Sequence, residues 1–263
     1  MRLRLAADFA VSVMRRATPA VFSLFIACGT ALAQQSAKPA APAAKPSAAP
    51  SGKCIGVLSA IGDSINLQKI GITVFGNELN KVAIDSWQID NLVVGKISAY
   101  LSKSWSVRPI SYPKGAFATL EEDHGLFYNF DAELTEIIRR VTSSTKCDHY
   151  VVVLKSRSGF GTSNQSLYGL GVLEAGGLMG ADYLFALYLI RVYDGHTMAM
   201  LGQQRATLDE NHFSAIHGPF RQLYTNFTFP QPGTMPGPAV RDGLRSLVDK
   251  SLDVTMPQIL RIE

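Results

Sequence analysis

A nearly uninterrupted apolar stretch covers residues 183–192, and Asp194-Gly195 separates it from a second run at 196–208. Tyr, Phe, Leu and Ile dominate the first run, and this composition favours a buried central strand over a helix. An Asp-Gly step between two such runs is typical of a β-hairpin, because glycine adopts the positive φ angle of a tight turn. We therefore predict a hairpin over residues 183–208.

The other apolar patterns predict alternating strands and helices. Alternation and short apolar runs predict strands at residues 55–61, 68–76, 81–84, 105–112 and 147–154. Helical spacing predicts helices after Asp85, over residues 132–143 and over residues 240–252. Asp85 and Gln88 are expected to form a capping box, and Pro257 is expected to end or kink the last helix.

This order of elements predicts an α/β (α+β) fold. We expect a mixed β-sheet with parallel central pairs, packed by about three helices, with a terminal hairpin and a closing helix.

Residues 1–33 resemble an export signal. The basic pair Arg15-Arg16 precedes a short apolar run, and a small-x-small cleavage site follows at residues 31–33. The apolar run is too short to span a bilayer. The four residues that end at Cys28 loosely resemble a lipobox, so a lipidated Cys28 is the alternative to simple cleavage. We expect export to the periplasm.

Residues 34–52 consist of Ala, Pro, Ser, Lys, Gln and Gly, and they predict a disordered or extended tether. A single domain is expected at residues 53–263, with an insert at 156–181 and an irregular loop at 209–238. Six of the 25 Lys and Arg residues and one of the 21 Asp and Glu residues precede this domain, which leaves 19 basic and 20 acidic residues and a net charge of −1. This balance argues against nucleic acid as a partner.

Two cysteines lie in the expected domain, and each begins a strand-like run after a lysine. If the runs that start at Cys54 and Cys147 are parallel neighbours, both sulfur atoms lie at the same edge of the sheet. In an oxidising periplasm a disulfide would then close a long loop and contribute about 3–5 kcal/mol. Two buried free thiols are the alternative.

The segment Leu187–Gly195 is similar to the strand–turn–strand signature of small bacterial envelope domains. These are the curli-secretion (CsgG-type) lipoproteins, the TolB amino-terminal region and the penicillin-binding-protein activator LpoB. Tyr193 departs from the signature, as does the missing Thr-Gly after Asp194. The resemblance covers residues 54–260, and it implies an exported, non-catalytic module that binds an envelope protein or a cell-wall component.

Gly62-Asp63-Ser64 resembles the nucleophile block of GDS(L)/SGNH serine hydrolases, and Asp209 and His212 have the spacing of that family's closing block. Such an esterase would use Ser64 as nucleophile, His212 as base and Asp209 to orient the base. In that family the serine begins a helix, whereas the residues after Ser64 predict a strand. A simple turn at residues 62–64 therefore fits better, and the esterase is the alternative function.

The glycine-rich part of the insert, residues 159–180, matches no nucleotide-binding fingerprint. It carries many apolar residues for a loop, which favours contact with a partner or, alternatively, with a membrane. The expected contact residues are Phe160, Leu167, Tyr168, Leu170, Val172 and Leu173.

The remaining candidate chemistry is sparse. The five histidines are dispersed without the spacing of metal ligands, so we expect neither a metal nor a cofactor. The acidic residues at 121–123 predict an exposed loop. Trp87, Trp105 or the loop aromatics would contact a polysaccharide if the partner is a wall component, but both tryptophans flank the first helix and are expected in the core or at its margin.

Overall fold

The computed structural model of the chain describes residues 53–71, 76–122, 125, 128–161, 164–176, 180–208, 216–223 and 227–259. Its strands are β1 (Cys54–Ala60), β2 (Ser64–Ile70), β3 (Glu78–Ala83), β4 (Ser106–Pro109), β5 (His149–Lys155), β6 (Arg157–Gly159), β7 (Ser166–Tyr168), β8 (Leu170–Ala175), β9 (Ala181–Ala186), β10 (Tyr188–Asp194), β11 (Met200–Arg205) and β12 (Phe220–Gln222). Its α-helices are α1 (Ile89–Leu101), α2 (Phe130–Val141) and α3 (Pro238–Ile259), and short 3-10 turns occur at Asp85–Trp87 and Ala118–Glu121. The expected signal and tether at residues 1–52 lie outside the described residues.

The described strands form two five-stranded sheets and one two-stranded ribbon. Sheet 1 has the order β11-β10-β5-β1-β4, and β1 is parallel to both β4 and β5. Sheet 2 has the order β12-β9-β8-β2-β3, and its one parallel pair among these strands is β2 with β8. The ribbon pairs β6 with β7. The α+β class with three helices is therefore confirmed, but the strands are divided between two sheets.

The two sheets share one core, and the chain passes from one sheet to the other at two points. β1 leads into β2 across residues 61–63, and β9 leads into β10 across Leu187. Helices α1 and α3 cover one face of both sheets with a common apolar cluster. Helix α2 covers the opposite face of sheet 1 with a second cluster.

The predicted single strand at residues 183–192 is wrong in one respect, because the chain changes sheets at Leu187. Its N–H donates to the carbonyl of Gly169 and its carbonyl accepts from Ser156, at 2.8 and 3.0 Å. β9 before it pairs with β8, and β10 after it pairs with β5. Leu187 is itself buried, so the apolar run continues across the change of sheet without a polar residue to mark it.

The hairpin between β10 and β11 is confirmed, but glycine serves a different purpose in its turn. Gly195 does not have a positive φ; Met198 does, at 60°. The carboxylate of Asp194 holds the turn by accepting from the N–H groups of His196 and Thr197, at 3.0 and 2.7 Å. A Cβ atom on Gly195 would lie 1.9 Å from the carbonyl oxygen of Cys147, so this residue must be glycine to allow close backbone contact.

Three further expectations need correction. Helix α1 starts at Ile89 with Gln88 as its N-cap at a φ of 54° and with no side-chain capping bond, so the capping box is absent. Pro257 does not end α3, which continues to Ile259. The second strand begins at Ser64, four residues earlier than predicted.

The disulfide between Cys54 and Cys147 is present, with a Cα–Cα distance of 4.8 Å. The reason is the one that the sequence suggested: β1 and β5 are parallel neighbours, with Ile55 opposite His149. The bridge closes a loop with a sequence separation of 93 residues, so on the chain-entropy model it stabilises the fold by about 4–5 kcal/mol.

We predict opposite effects of alanine at two glycines. Gly195→Ala should lower the free energy of unfolding by about 1–3 kcal/mol, because the new methyl group overlaps the Cys147 carbonyl. Gly95→Ala should raise it by about 0.5–1 kcal/mol, because Gly95 lies within α1 and its Cβ would contact nothing within 4 Å. Urea denaturation of both variants measures the difference, and equal effects would contradict the close approach at Gly195.

Candidate functional site: the groove beside Lys155

The turn at residues 61–63, between β1 and β2, is fixed by a carboxylate from the first turn of α1. Oδ1 of Asp90 accepts from the Ser59 hydroxyl at 2.6 Å and from the N–H groups of Ile61 and Gly62 at 3.0 and 3.1 Å. A Cβ atom on Gly62 would lie 2.9 Å from the Asp90 nitrogen, so glycine is required for this approach. The turn places Asp63 and Ser64 at the junction of the two sheets.

Burial of Asp90 raises the pKa of its carboxyl group above 3.8, and the three hydrogen bonds that it accepts act in the opposite direction. Desolvation disfavours the charged form of the carboxyl group, and it is the larger of the two effects on the pKa. The folded protein is therefore less stable with Asp90 charged than with Asp90 protonated. The three hydrogen bonds to Oδ1 nevertheless stabilise the turn.

Lys155, the last residue of β5, lies at the same junction. Its side chain is only 4 % exposed. The ammonium donates to Ser64 Oγ at 2.9 Å and to Glu121 Oε1 at 2.7 Å, and it forms an ion pair with Asp63 Oδ1. An ammonium has three N–H donors, so these three acceptors use all of them. Lys155 thus joins the end of β5, the start of β2 and the turn that contains Glu121.

This arrangement does not favour Ser64 as a nucleophile. Ser64 begins a strand, it is 6 % exposed, and its hydroxyl accepts from the Lys155 ammonium while it donates to Asp63 at 3.2 Å. In the serine hydrolases the proton goes to a histidine, and no histidine among the described residues is hydrogen-bonded to Ser64. Asp209 and His212, the other members of the hypothetical triad, lie outside the described residues.

A groove of about 420 Å³ opens beside Lys155, between the outer face of sheet 2 and the β6–β7 ribbon. Asn66 and Gln68 of β2 form part of its wall and hold the ribbon in place. Their amide groups donate to the carbonyls of Tyr168 and Ser166, at 2.7 and 3.2 Å. The guanidinium of Arg157 lies over the Tyr168 ring, 5.4 Å from its centroid.

The opposite wall is formed by β3 and by the segment that ends the 3-10 turn. Leu79 is 63 % exposed there, and the Lys81 ammonium pairs with Glu121, the same carboxylate that binds Lys155. Burial, with a smaller contribution from Glu121, raises the pKa of Tyr168 well above its usual range. Its phenol therefore remains protonated, and the groove offers aromatic, guanidinium, amide and apolar groups together.

The predicted contact residues do not form one surface. Leu167, Leu170, Val172 and Leu173 are fully buried, so the expectation that they contact a partner is wrong. Leu167 of β7 and Leu173 of β8 pack in one apolar cluster, and Leu170 and Val172 of β8 pack in the cluster that α1 and α3 cover. Phe160 is half-buried against Ile216, and Tyr168 is half-buried at the groove. Tyr168 alone of the six lines this groove.

The two tryptophans differ in burial. Trp87 is buried in the core, whereas Trp105 is half-buried and lies edge-on to His149 at 5.0 Å. Within the described ranges, no group of three or more His, Cys, Asp or Glu side chains is arranged to hold a metal ion. No helix among the described residues is long and apolar enough to cross a membrane.

Sequence reasoning did not identify Lys155, Asp90 or Arg157. One signal was available for Lys155, because it continues an apolar β run that contains no other charge after His149. A lysine at the end of such a run is expected to need a buried partner. No pattern in the sequence connects it with Asp63 or Glu121, since 92 and 34 positions separate them.

Comparisons with known proteins give limited information. No family model and no curated protein matches the chain. Among solved structures, the LpoB C-terminal domain from Salmonella enterica is 12% identical, with 59% of this chain and 80% of that chain covered and a TM-score of 0.21. Protein XCC0632 from Xanthomonas campestris is 9% identical, with 77% and 81% covered and a TM-score of 0.32. Lipoprotein GNA1162 from Neisseria meningitidis is 12% identical, with 77% and 99% covered and a TM-score of 0.25.

LpoB, one of the proteins that the signature at Leu187–Gly195 resembles, is thus among the similar structures. At these scores and identities, the likenesses carry no argument about what the chain binds or does.

We predict that Lys155→Met lowers the free energy of unfolding by about 3–5 kcal/mol, because it leaves Glu121 and Ser64 without their buried donor. The matched control is Lys69→Met. Lys69 pairs with Glu174 at the surface, at 3.2 Å, so its loss should cost less than about 1 kcal/mol. Urea denaturation compares the two variants, and similar losses would show that the Lys155 contacts contribute no more than a surface pair.

Asp90 leads to a prediction about pH. The folded-state pKa is raised, so the folded protein holds the proton more tightly and wild-type stability falls as pH rises from 3.8 through that higher value. Asp90→Asn keeps the Oδ1 acceptor without the charge. The stability of Asp90→Asn minus that of the wild type should therefore increase with pH across this window. Asp90→Ala, the control, should be less stable at every pH by about 1–3 kcal/mol, because it leaves the donors unpaired. A difference for Asp90→Asn that decreases with pH would contradict this account.

Proposed function

We propose that the protein is an exported accessory protein of the bacterial cell envelope that binds another envelope component without catalysing a reaction. The observation that carries the proposal is the groove beside Lys155, with Arg157 and Tyr168 on one side and Leu79 on the other. The favoured partner is an envelope protein, and a cell-wall component is the second class that the experiment below separates.

The chemistry of the groove supports recognition of a peptide-like segment. Arginine and tyrosine are enriched where protein interfaces derive most of their binding energy. Here the Arg157 side chain is positioned over the Tyr168 ring and also donates to Ser166 Oγ at 3.1 Å, which restricts its motion before a partner arrives. Such preorganisation lowers the entropy lost on binding.

The contacts of Ser64 support a non-catalytic role. Its hydroxyl accepts from the Lys155 ammonium and donates to Asp63, and no histidine among the described residues is hydrogen-bonded to it. The buried network instead provides a rigid end wall for the groove.

Export is supported by the resemblance of residues 1–33 to a signal and by the tether-like composition of residues 34–52. The disulfide fits the same location, because disulfides persist in the periplasm and are rare in the cytosol. Membrane association through a lipidated Cys28 or through the glycine-rich insert is compatible with this proposal but is not required by it.

The proposal can be tested by site-specific photo-crosslinking in cells. A photoreactive phenylalanine analogue at Arg157, in the groove, should give a discrete adduct with a second protein of the envelope fraction. The matched control is the same analogue at Tyr100, which is 40 % exposed on α1 and outside the groove lining. An adduct at Arg157 that is sensitive to muramidase would identify wall material, and equal adducts at both positions, or none at Arg157, would count against the groove.

The serine hydrolase alternative is tested on the same cells with a fluorophosphonate probe. We expect no labelling of the wild-type chain, because Ser64 is buried and bonded to an ammonium. Labelling that disappears in Ser64→Ala would support the hydrolase and refute the non-catalytic role.

A further inference from the structure

The open edge of β3 is shaped for a second copy of this chain. We propose that two molecules associate through antiparallel pairing of their β3 strands, so that sheet 2 continues from one molecule into the other. This proposal does not depend on what occupies the groove, and it assigns a self-association surface to the edge that borders it.

The first observation is the direction of the backbone groups of β3. The Ile84 N–H donates to the Asp63 carbonyl at 2.9 Å, which fixes the alternation of the β2–β3 ladder. In an antiparallel pair, every second residue exchanges hydrogen bonds with its neighbour. Residues 78, 80 and 82 therefore bond to β2, and the N–H and C=O groups of Leu79, Lys81 and Ala83 point to the open side.

The second observation is that β3 has no proline, no bulge and no truncation of the kind found at the other outer strands, although it carries the charged residues Glu78 and Lys81. Of the four outer strands described, β4 has four residues and contains Arg108 and Pro109, and β12 has only three residues. β11 begins at a register shift opposite Val192 and Tyr193. Short length, proline, charge and bulges are the usual means of blocking such edges. β3 has six residues, no proline and an unbroken register with β2.

The charges of β3 do not oppose this association. The Lys81 ammonium is paired with Glu121 of its own chain, and Leu79 beside it is 63 % exposed. Pairing would cover the apolar Leu79 side chain, the most exposed large apolar side chain among the described residues.

The register follows from two constraints. A two-fold axis perpendicular to the sheet keeps side chains on their own face, and hydrogen bonds must join residues whose backbone groups point outward. Axes at Leu79, Asn80 and Lys81 all satisfy both constraints, but an axis at Leu79 would overlap only residues 78–80 of β3 with their counterparts, whereas an axis at Asn80 overlaps residues 78–82. Leu79 of each copy then lies opposite Lys81 of the other copy, and the two Asn80 residues lie opposite each other. Moving the axis by one residue to Lys81 would place two lysines directly opposite each other, which is destabilising.

Association in this register also places the two grooves on the same face of one continuous sheet. A two-fold axis perpendicular to the sheet does not exchange its faces, so both Arg157 side chains would be offered to the same side. A partner with two binding segments could then engage both copies.

Sedimentation equilibrium of the purified full-length chain tests the association itself. We expect a reversible monomer–dimer equilibrium for the wild type. Leu79→Lys places a positive charge opposite Lys81 of the other copy, at two symmetric positions. Leu79→Glu places a negative charge at the same two positions. The dissociation constant should be about tenfold higher for Leu79→Lys than for Leu79→Glu. Each pair of like charges destabilises the dimer, and each pair of opposite charges stabilises it, by about 0.2–1 kcal/mol. Equal constants for the two variants, or a wild type that is monomeric at all concentrations, would overturn the proposal.

Engineered disulfides test the register, on a Cys28→Ser background so that no other free thiol takes part. Asn80→Cys should form a dimer linked by a disulfide under mild oxidation, because residues in a non-hydrogen-bonded antiparallel pair have Cα atoms about 4.5 Å apart. Glu78→Cys is the control: its counterparts would be separated by four residues, about 13 Å along the strand, and should not link. Equal linkage at both positions would overturn the register.

The outcomes of these experiments are separate from those of the groove experiment. A monomeric protein that still gives the Arg157 adduct would refute the dimer and leave the proposed function intact. A dimer that gives no Arg157 adduct would support the association and count against the proposed function.

Discussion

The buried ammonium of Lys155 is the contact on which the rest of the architecture depends. It lies where β5 ends in sheet 1 and where β2 begins in sheet 2, and it contacts Glu121 at the end of the Ala118–Glu121 turn. A buried charge is tolerated only when its donors are satisfied, and here Asp63, Ser64 and Glu121 satisfy all three. The same requirement fixes three separate chain segments relative to one another.

This constraint shapes the groove and limits its chemistry. Because Lys155 and Glu121 are occupied by each other, Arg157 and Tyr168 are groove residues that this network does not engage. In the proposed role, these two residues would recognise a chain segment. The Ser64 hydroxyl, which the Gly-Asp-Ser pattern suggested as a nucleophile, contributes to the wall of this groove as an acceptor for Lys155.

A second structural feature is the passage of strands from one sheet to the other. β1 continues into β2 through the turn that Asp90 holds, and β9 continues into β10 through Leu187. Each passage needs a residue whose role is set by close packing: Gly62 against the start of α1, and Leu187 between Gly169 and Ser156. As a result, α1 and α3 cover both sheets with one core, and β3 is left as an open margin.

The sequence by itself determined the α+β class, most of the elements and the hairpin that β10 and β11 form, because apolar periodicity reports which faces are buried. It also suggested a bridge between Cys54 and Cys147 if their strands were parallel neighbours, and the structure shows that β1 and β5 are parallel neighbours. Only the tertiary structure decided that Leu187 changes sheets, that Gly195 serves close approach to Cys147, and that Leu167, Leu170, Val172 and Leu173 are interior. The reason is physical: hydrophobicity shows that a residue is buried, but which groups bury it depends on contacts between segments far apart in the chain.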